Sequence, residues 1–273
     1  MTSASVPYRL CALDLDETLL DSQHRISPRN MRAVRLLCEQ GVTVVLASGR
    51  MHAAAVPFAH ALQLDAPVIS YNGAMVKHAR TEEVWLHETI EPELANIVMD
   101  FCQMQGLQLN YYLGDRLYSA RDTDWLRLYQ GRTNAPVTVD PEIYVRFRSA
   151  RPTKLIIVDR PEYTWELLDY FRGVFGDSLY ITKSTDEYLE FMPPAANKGR
   201  ALAVVAGRYG YRPEEVIAFG DSYNDIPMLQ WAGMGVAVAN AKDAVREVAD
   251  LVVGRSADDG VGIALEELFG LSV

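Results

Sequence analysis

Short apolar runs alternate with amphipathic helical segments at both ends of this 273-residue chain. The first helical segment is opened by Ser27-Pro28 and ended by Gly41, which are typical start and stop signals. Strands that are apolar throughout are buried on both faces, as in a parallel sheet covered by helices. The strand-like runs are residues 8–13, 42–47, 67–71, 216–219, 235–238 and 251–253. The sequence therefore predicts an α/β fold with a doubly wound, mostly parallel sheet.

The middle of the chain follows a different pattern. Asn72-Gly73 is typical of a hairpin turn, and segments with alternating polar and apolar residues, such as 107–113, then surround helices. One of these helices is opened by Glu91-Pro92. We therefore predict an inserted α+β domain. The predicted core comprises residues 1–82 and 191–273, the insert comprises residues 83–190, and short hinges near 78–83 and 191–196 join them.

Charge and hydropathy exclude several classes of function. The chain has 36 acidic and 26 basic residues, and its net charge of -10 repels nucleic acid and anionic membranes. No apolar run reaches the roughly 20 residues of a membrane span, and Asp14 and Asp16 interrupt the one candidate signal segment. We expect a cytoplasmic protein without nucleic-acid or membrane partners, and the sequence leaves monomer and homodimer open.

Two clusters of acidic residues follow apolar strands. Residues 14–18 read Asp-Leu-Asp-Glu-Thr, and residues 219–225 read Phe-Gly-Asp-Ser-Tyr-Asn-Asp. Taken alone, either cluster could end a strand or cap a helix. Because the carboxyl ends of parallel strands meet at one edge of a sheet, the clusters together favour an all-oxygen site of the kind that Mg²⁺ prefers.

Two further segments could hold an anionic substrate beside such a cation. Ser48-Gly49-Arg50 lies between a strand and a helix, where a hydroxyl and backbone NH groups can bind phosphate. Lys198 lies beside the start of another helix. Ser48 alone would be interpreted as a helix cap and Lys198 as a solvent-facing lysine, but the combination favours phosphate binding. Arg50 could contact substrate or pair with a nearby acid, and the sequence does not decide between the two.

The order of these segments resembles the four motifs of the haloacid dehalogenase-like hydrolases. The matching stretches are residues 14–20, residues 48–50, Lys198-Gly199 and residues 220–225. The insert lies between the second and third motifs and is preceded by residues 69–74, as in the Cof-type subgroup with a C2 cap domain. Glu17 and Ser222 replace glycines that are usual in the family. Neither change removes a catalytic group, and Glu17 adds an acid whose effect the sequence does not reveal.

The resemblance implies a phosphatase mechanism. Asp14 would be the nucleophile that forms an aspartyl-phosphate, and Asp16 would serve as general acid and then general base. Mg²⁺ would be held by Asp14, the main-chain carbonyl of Asp16 and Asp221, while Asp225 would orient Lys198 or a metal-bound water. The groups expected to bind the transferring phosphoryl oxygens are the backbone NH of Leu15 together with Ser48, Gly49, Lys198 and Asn224.

Three other functions remain open at this point. A sugar-phosphate mutase or other phosphotransferase would use the same motifs, a phosphorylatable receiver domain would be shorter, and a silent phosphate-binding module would have little need of the acids. The resemblance implies a small phosphorylated metabolite, either a sugar phosphate or a phosphorylated cofactor. The histidines show no ligand spacing and are assigned no role; they are His24, His52, His60, His78 and His87.

Overall fold

A computed structural model of the protein describes residues 8–133 and 135–271. These residues form two compact units. The first contains the described residues up to Leu86 and from Asn197 onward, and the second is His87–Ala196. In chain order the strands are β1 Leu10–Leu13, β2 Thr43–Ala47, β3 Pro67–Ser70, β4 Met75–His78, β5 Val84–His87, β6 Gln108–Leu113, β7 Arg116–Ser119, β8 Val137–Val139, β9 Lys154–Val158, β10 Tyr180–Thr185, β11 Tyr188–Met192, β12 Val216–Gly220, β13 Met234–Val238 and β14 Leu251–Val253. The helices are α1 Pro28–Glu39, α2 His52–Ala61, α3 Pro92–Gln105, α4 Asp124–Thr133, α5 Ile143–Arg146, α6 Pro161–Phe175, α7 Lys198–Tyr209, α8 Ile226–Trp231, α9 Asp243–Val248 and α10 Gly260–Phe269.

The first unit is built on an eight-stranded sheet with the order β14-β13-β12-β1-β2-β3-β4-β5. Neighbouring strands are parallel from β14 to β3, and β4 returns antiparallel to β3 through a tight turn. All four residues of β1 are buried, which agrees with cover on both faces. The predicted doubly wound, mostly parallel sheet is confirmed.

The local signals at the start of α1 act as the sequence predicts. The Ser27 side chain accepts a hydrogen bond from the backbone N of Asn30 at 3.1 Å, and Pro28 occupies the first helical turn. The buried face of α1 contains Ala33, Val34 and Leu37, which belong to the same apolar core as the strands. Burial of this face on the sheet supplies most of the helix's stability.

The strand order reverses at β1. Strands β2 and β3 follow on one side of β1, and β12 to β14 follow on the other. Leu13 is in register with Leu46 of β2 and with Phe219 of β12, so the carboxyl ends of these three strands are level. Open α/β sheets bind their ligands at such a switch point.

The second unit has a six-stranded sheet with the order β10-β11-β9-β6-β7-β8. Its pairs are antiparallel except β7 with β8. One face carries an apolar core that includes Leu109, Ile157 and Phe191 together with buried residues of α3 and α6. The opposite face carries buried polar side chains, among them Asn110 and Glu190. This is the alternation expected of an α+β unit.

The unit boundaries lie a few residues from the predicted ones. Strand β5 adds to the first sheet beside β4, so the chain crosses after Leu86 and not at residue 83. On the return, Phe191 belongs to the core of the second unit, and the crossing follows Ala196 and not residue 190. The pairing of β5 thus extends the first unit past the change in sequence pattern, and the burial of Phe191 extends the second unit in the same way. Among the described helices, none combines the length and apolarity needed to cross a bilayer.

Candidate active site

Asp14 lies at the carboxyl end of β1, where its backbone N still bonds to the carbonyl of Phe219 at 3.1 Å. The chain then enters a single wide helical turn, Leu15–Leu19, in which Glu17 has a left-handed backbone with φ 58°. The Asn240 side chain donates to the Glu17 carbonyl at 2.7 Å and holds this turn. The Asp14 side chain is buried at this end of the sheet.

Lys198 joins two of the carboxylates. Its ammonium lies 2.6 Å from Asp14 Oδ1 and 2.5 Å from Asp225 Oδ1, and its side chain is 0% exposed. Asn197 caps the helix that starts at Lys198 by accepting from the backbone N of Arg200 at 2.9 Å. Burial alone would lower the pKa of Lys198, but the charges of Asp14 and Asp225 outweigh burial and raise that pKa. Lys198 is therefore charged. Its burial differs from the solvent-facing position that a lone lysine would have, and its place among the acids agrees with the combined motifs.

Asp221 follows β12 and completes the acidic group. Oxygens of Asp14, Asp221 and Asp225 lie within 4.8 Å of one another. Asp221 accepts from the hydroxyls of Thr18 at 3.0 Å and Ser222 at 2.7 Å. Burial, with the charge of Asp225, raises the pKa of Asp221 to about 6.

The two oxygens of Asp225 have different partners. Oδ1 accepts from Lys198, while Oδ2 accepts from the backbone N atoms of Asp221 and Ser222, at 3.0 Å each. Gly220 allows this arrangement, because a Cβ at that position would lie 2.5 Å from the Cβ of Asp225. Asp225 thus holds both the lysine and the loop that carries Asp221.

The charges of this group fit a divalent cation. Three buried carboxylates share one ammonium, so negative charge is in excess when all are ionised. Burial and the charges of Asp225 and Asp221 raise the pKa of Asp14 well above its ordinary value, despite the opposing effect of Lys198. Carboxylate oxygens are the ligands that Mg²⁺ prefers, and a bound cation would relieve this repulsion. The residues present therefore fit a magnesium ion.

Ser48 and Asn224 lie in the loops that follow β2 and β12. Ser48 is buried after β2, and its hydroxyl accepts from the backbone N of Arg50 at 3.1 Å. Asn224 donates to Asn72 Oδ1 at 2.7 Å. A Cβ on Gly49 would lie 2.8 Å from the same Asn72 oxygen, so glycine lets the two loops approach. Asn72 is a site residue that the sequence analysis interpreted only as part of a turn.

The side chain of Asp16 lies apart from the acidic group. Arg50 binds it through both oxygens, with Nε to Oδ2 at 2.8 Å and Nη2 to Oδ1 at 2.5 Å. Nδ1 of His24 lies 3.2 Å from Asp16 Oδ1. Burial raises the pKa of Asp16, but the bonds and charges of Arg50 and His24 reverse this and lower the pKa. Arg50 thus pairs with a nearby acid, and His24 has a contact that its sequence context did not predict.

A carboxylate group at the switch point of a doubly wound sheet places this chain among the α/β enzymes that build their active sites there. The family model for haloacid dehalogenase-like hydrolases matches residues 11–265, and the chain belongs to this family. The predicted family and its Cof-type subgroup are confirmed.

Relatives and solved structures match over almost the full length. A 5-amino-6-(5-phospho-D-ribitylamino)uracil phosphatase of Bacillus subtilis is 30% identical over 260 residues, which cover 95% of each chain. A haloacid dehalogenase-like hydrolase structure from Bacteroides thetaiotaomicron has a TM-score of 0.90 at 28% identity and covers 96% of this chain and 100% of that chain. A Thermotoga maritima structure has a TM-score of 0.89 at 33% identity and covers 97% and 98%. The chain is accordingly a phosphatase of this family, as the sequence predicts.

Proposed function

We propose that this protein is a Mg²⁺-dependent phosphatase that hydrolyses small phosphorylated metabolites through an aspartyl-phosphate on Asp14. One observation carries the proposal. The buried Lys198 ammonium lies 2.6 Å from Asp14, and Asp221 completes a carboxylate group within 4.8 Å. A nucleophile, a fixed positive charge and a cation site thus share one desolvated position, where electrostatic stabilisation is strongest.

The reaction has two halves. An Asp14 oxygen attacks phosphorus, a bond to phosphorus forms, and the bond to the leaving-group oxygen breaks as Asp16 donates a proton to that oxygen. Water then attacks the same phosphorus, Asp16 takes a proton from it, and the bond to Asp14 breaks to release inorganic phosphate. The carboxylate of Asp16 is partly exposed, so it can exchange protons with leaving group and water. Despite partial burial, Arg50 and His24 lower its pKa in the absence of substrate, so Asp16 would take up its proton as the anionic phosphate enters, whose charge favours the protonated acid.

Asp14, Asp221 and the main-chain carbonyl of Asp16 would hold Mg²⁺. When bound, the cation neutralises charge that develops on the phosphoryl oxygens. Asp225 keeps Lys198 in place, because its second oxygen is fixed by two backbone NH groups. Lys198 would then contact a phosphoryl oxygen without losing its own support.

The remaining phosphoryl contacts would come from the loops after β1, β2 and β12. The groups proposed are the backbone NH of Leu15, together with Ser48, Gly49 and Asn224. The Asn224 amide donates to Asn72, while its Oδ1 is buried without a partner among the described residues. The NH₂ group has a second hydrogen, which it would donate to a phosphoryl oxygen while the bond to Asn72 keeps the amide in place.

We propose that the second unit, the predicted C2 cap, determines which leaving groups are accepted. One face of its sheet carries buried polar side chains. Lys154 and Glu190 form a buried ion pair there at 2.6 Å, and Ser184 bonds to Glu190. Asn110 is 0% exposed, and its Nδ2 has no partner within the described part of the chain. An unsatisfied buried amide is costly, so a buried water is expected to complete it. Sugar phosphates and phosphorylated cofactors are both proposed as substrates.

The test is phosphate release from p-nitrophenyl phosphate with and without Mg²⁺, followed by a panel of phosphorylated metabolites. The panel should include the ribitylamino-uracil phosphate of the Bacillus subtilis relative. Asp14→Asn should be folded and inactive, whereas Asp243→Asn, at an exposed position, should match the unmodified protein. Full metal-dependent turnover by Asp14→Asn would contradict the proposal. Transfer of phosphate to an acceptor sugar, without release, would favour a phosphotransferase.

A further inference from the structure

The carboxylate of Asp16 is held from two sides. Arg50 supplies a two-point bond, and His24 approaches Oδ1 with its Nδ1 at 3.2 Å. His24 Nδ1 also lies 3.2 Å from Arg50 Nη2, so the three side chains form a closed cluster. This cluster contains none of the three residues of the buried acidic group.

Local structure holds His24 in place independently of Asp16. It lies in a turn closed by the bridge between Leu20 and Ile26, and its backbone has a φ of 56°. Asp21 accepts from the backbone N atoms of Gln23 and Arg25, at 2.8 Å and 2.9 Å, which fixes the turn. The ring therefore reaches Asp16 from a turn that is closed by hydrogen bonds of its own.

Arg50 is also supported from another side. Its guanidinium carbon lies 5.2 Å from the centre of the Phe58 ring, on the first helix after the Ser48 loop. Cation and ring interactions of this kind favour one orientation of the guanidinium plane. Each partner of Asp16 thus lies in a segment with contacts besides those to Asp16.

The two carboxylate oxygens of Asp16 differ in how many hydrogen bonds they can still accept. A carboxylate has two acceptor positions on each oxygen. With a proton on Nδ1, His24 donates to Oδ1, which already accepts from Arg50 Nη2, so Oδ1 is filled. Oδ2 accepts from Arg50 Nε and, within residues 8–133 and 135–271, from no second donor. One position on Oδ2 is left for a substrate or water.

We propose that His24 is a positioning residue that acts with Arg50 to direct Asp16 Oδ2 to the leaving-group oxygen. This inference rests on the proposed acid and base role of Asp16. Without His24, the second acceptor position on Oδ1 is open as well, so the leaving-group oxygen can approach either carboxylate oxygen. Proton transfer then becomes slower, whereas substrate binding by the phosphate loops does not change.

The experiment compares two substrates with different leaving groups. p-Nitrophenyl phosphate has a good leaving group that needs little protonation, whereas β-glycerophosphate releases an alkoxide that needs a proton. His24→Ala should lower kcat/KM, which reports only the half-reaction that expels the leaving group, about 10-fold on β-glycerophosphate and less than about 2-fold on p-nitrophenyl phosphate, a modest share of the 10²- to 10⁴-fold typical of acid-base catalysis. Inhibition by inorganic phosphate should be unchanged, because the phosphate loops are intact.

Matched variants separate positioning from a structural effect. His24→Asn keeps an NH donor and should recover most of the β-glycerophosphate rate, while His24→Phe should not. Asp16→Asn should show a larger loss with the same preference for the poor leaving group. The ring of His24 is exposed, so thermal unfolding of all three His24 variants should match the unmodified protein.

Several outcomes would overturn the inference. Equal losses on both esters, weaker inhibition by inorganic phosphate, or no loss in His24→Ala would each contradict a positioning role for His24 alone. Equal losses on both esters in Asp16→Asn would remove the acid role of Asp16 and the role of His24 together. Absence of phosphate release from either ester by the unmodified protein would instead contradict the proposed function itself.

Discussion

Replacing Lys198 with methionine tests the electrostatics of the centre. Methionine keeps the length of the side chain and removes the ammonium that binds Asp14 at 2.6 Å and Asp225 at 2.5 Å. Removing one partner of a buried ion pair typically costs about 3–5 kcal/mol, because the remaining charge stays buried without compensation. Two hydrogen bonds to charged groups, at about 1.5–3 kcal/mol each, give a similar sum. We expect Lys198→Met to lower the free energy of unfolding by about 3–5 kcal/mol, or a Tm lower by about 10 °C.

Thermal and urea unfolding without Mg²⁺ measure this effect. Lys242→Met is the matched control, because Lys242 is exposed, and it should change stability by less than about 0.5 kcal/mol. Added Mg²⁺ should restore part of the stability of Lys198→Met, since the cation supplies the missing positive charge. A loss below about 1 kcal/mol would refute the reasoning. It would mean that Asp14 and Asp225 do not depend on the lysine for charge compensation.

Three further perturbations have defined outcomes. The raised pKa of Asp221, about 6, means that the folded chain binds this proton more tightly than the unfolded chain does, so metal-free stability should fall as the pH rises from about 4 to about 6. Asp221→Asn should reduce that slope in pH-dependent unfolding, although Asp14, whose pKa is also raised, contributes a slope of the same sign. The variant should be about 1 kcal/mol more stable than the unmodified protein at neutral pH without metal, but less stable at saturating Mg²⁺. An unchanged slope in Asp221→Asn would contradict this. Glu17→Gly should increase the free energy of unfolding by about 0.5–1 kcal/mol and so raise the Tm, because glycine adopts the φ of 58° without strain. An unchanged or lower Tm would argue against strain at this turn. Gly199→Ala should cost about 1–3 kcal/mol in urea unfolding, because its Cβ would lie 2.3 Å from the Pro227 carbonyl oxygen; near-neutral stability would show that α7 and α8 can separate freely.

The core sheet can be predicted from the sequence because strands that are buried on both faces consist of apolar residues throughout. β1, Leu10–Leu13, is apolar throughout and is followed at once by Asp14, so both the strand and its end are visible in the sequence. Ser27 and Pro28 mark the start of α1 for an equally local reason, since they cap and begin the helix. These signals depend on neighbours in sequence and not on the rest of the fold.

Helix α4 has no comparable signal. Only Leu126 and Tyr129 are buried along Asp124–Thr133, and Gly131 weakens the helix from within. Tyr129 bonds to Tyr112 of β6, so packing on the sheet stabilises a segment whose own helical preference is low. Tertiary contact of this kind cannot be seen in a single stretch of sequence.

The site residues also fall into those with a local sequence signal and those that depend on tertiary contacts. Asp14 and Asp221 follow apolar strands and could be identified from position, whereas Asn72 and His24 depend on contacts across loops. Asn72 does form the predicted turn between β3 and β4, but its bond to Asn224 spans 152 residues. His24 reaches Asp16 only because a left-handed turn folds the chain back.

The central claim is that one cation joins Asp14 and Asp221 while Asp14 receives the phosphoryl group. A crystal structure grown with Mg²⁺ and beryllium fluoride, which forms a phosphoryl-like adduct on carboxylates, tests it directly. The account predicts a beryllium adduct on a carboxylate oxygen of Asp14, with Mg²⁺ bound to Asp14 and Asp221 at about 2.0–2.1 Å. An adduct on another residue, or Mg²⁺ bound away from these two aspartates, would contradict it.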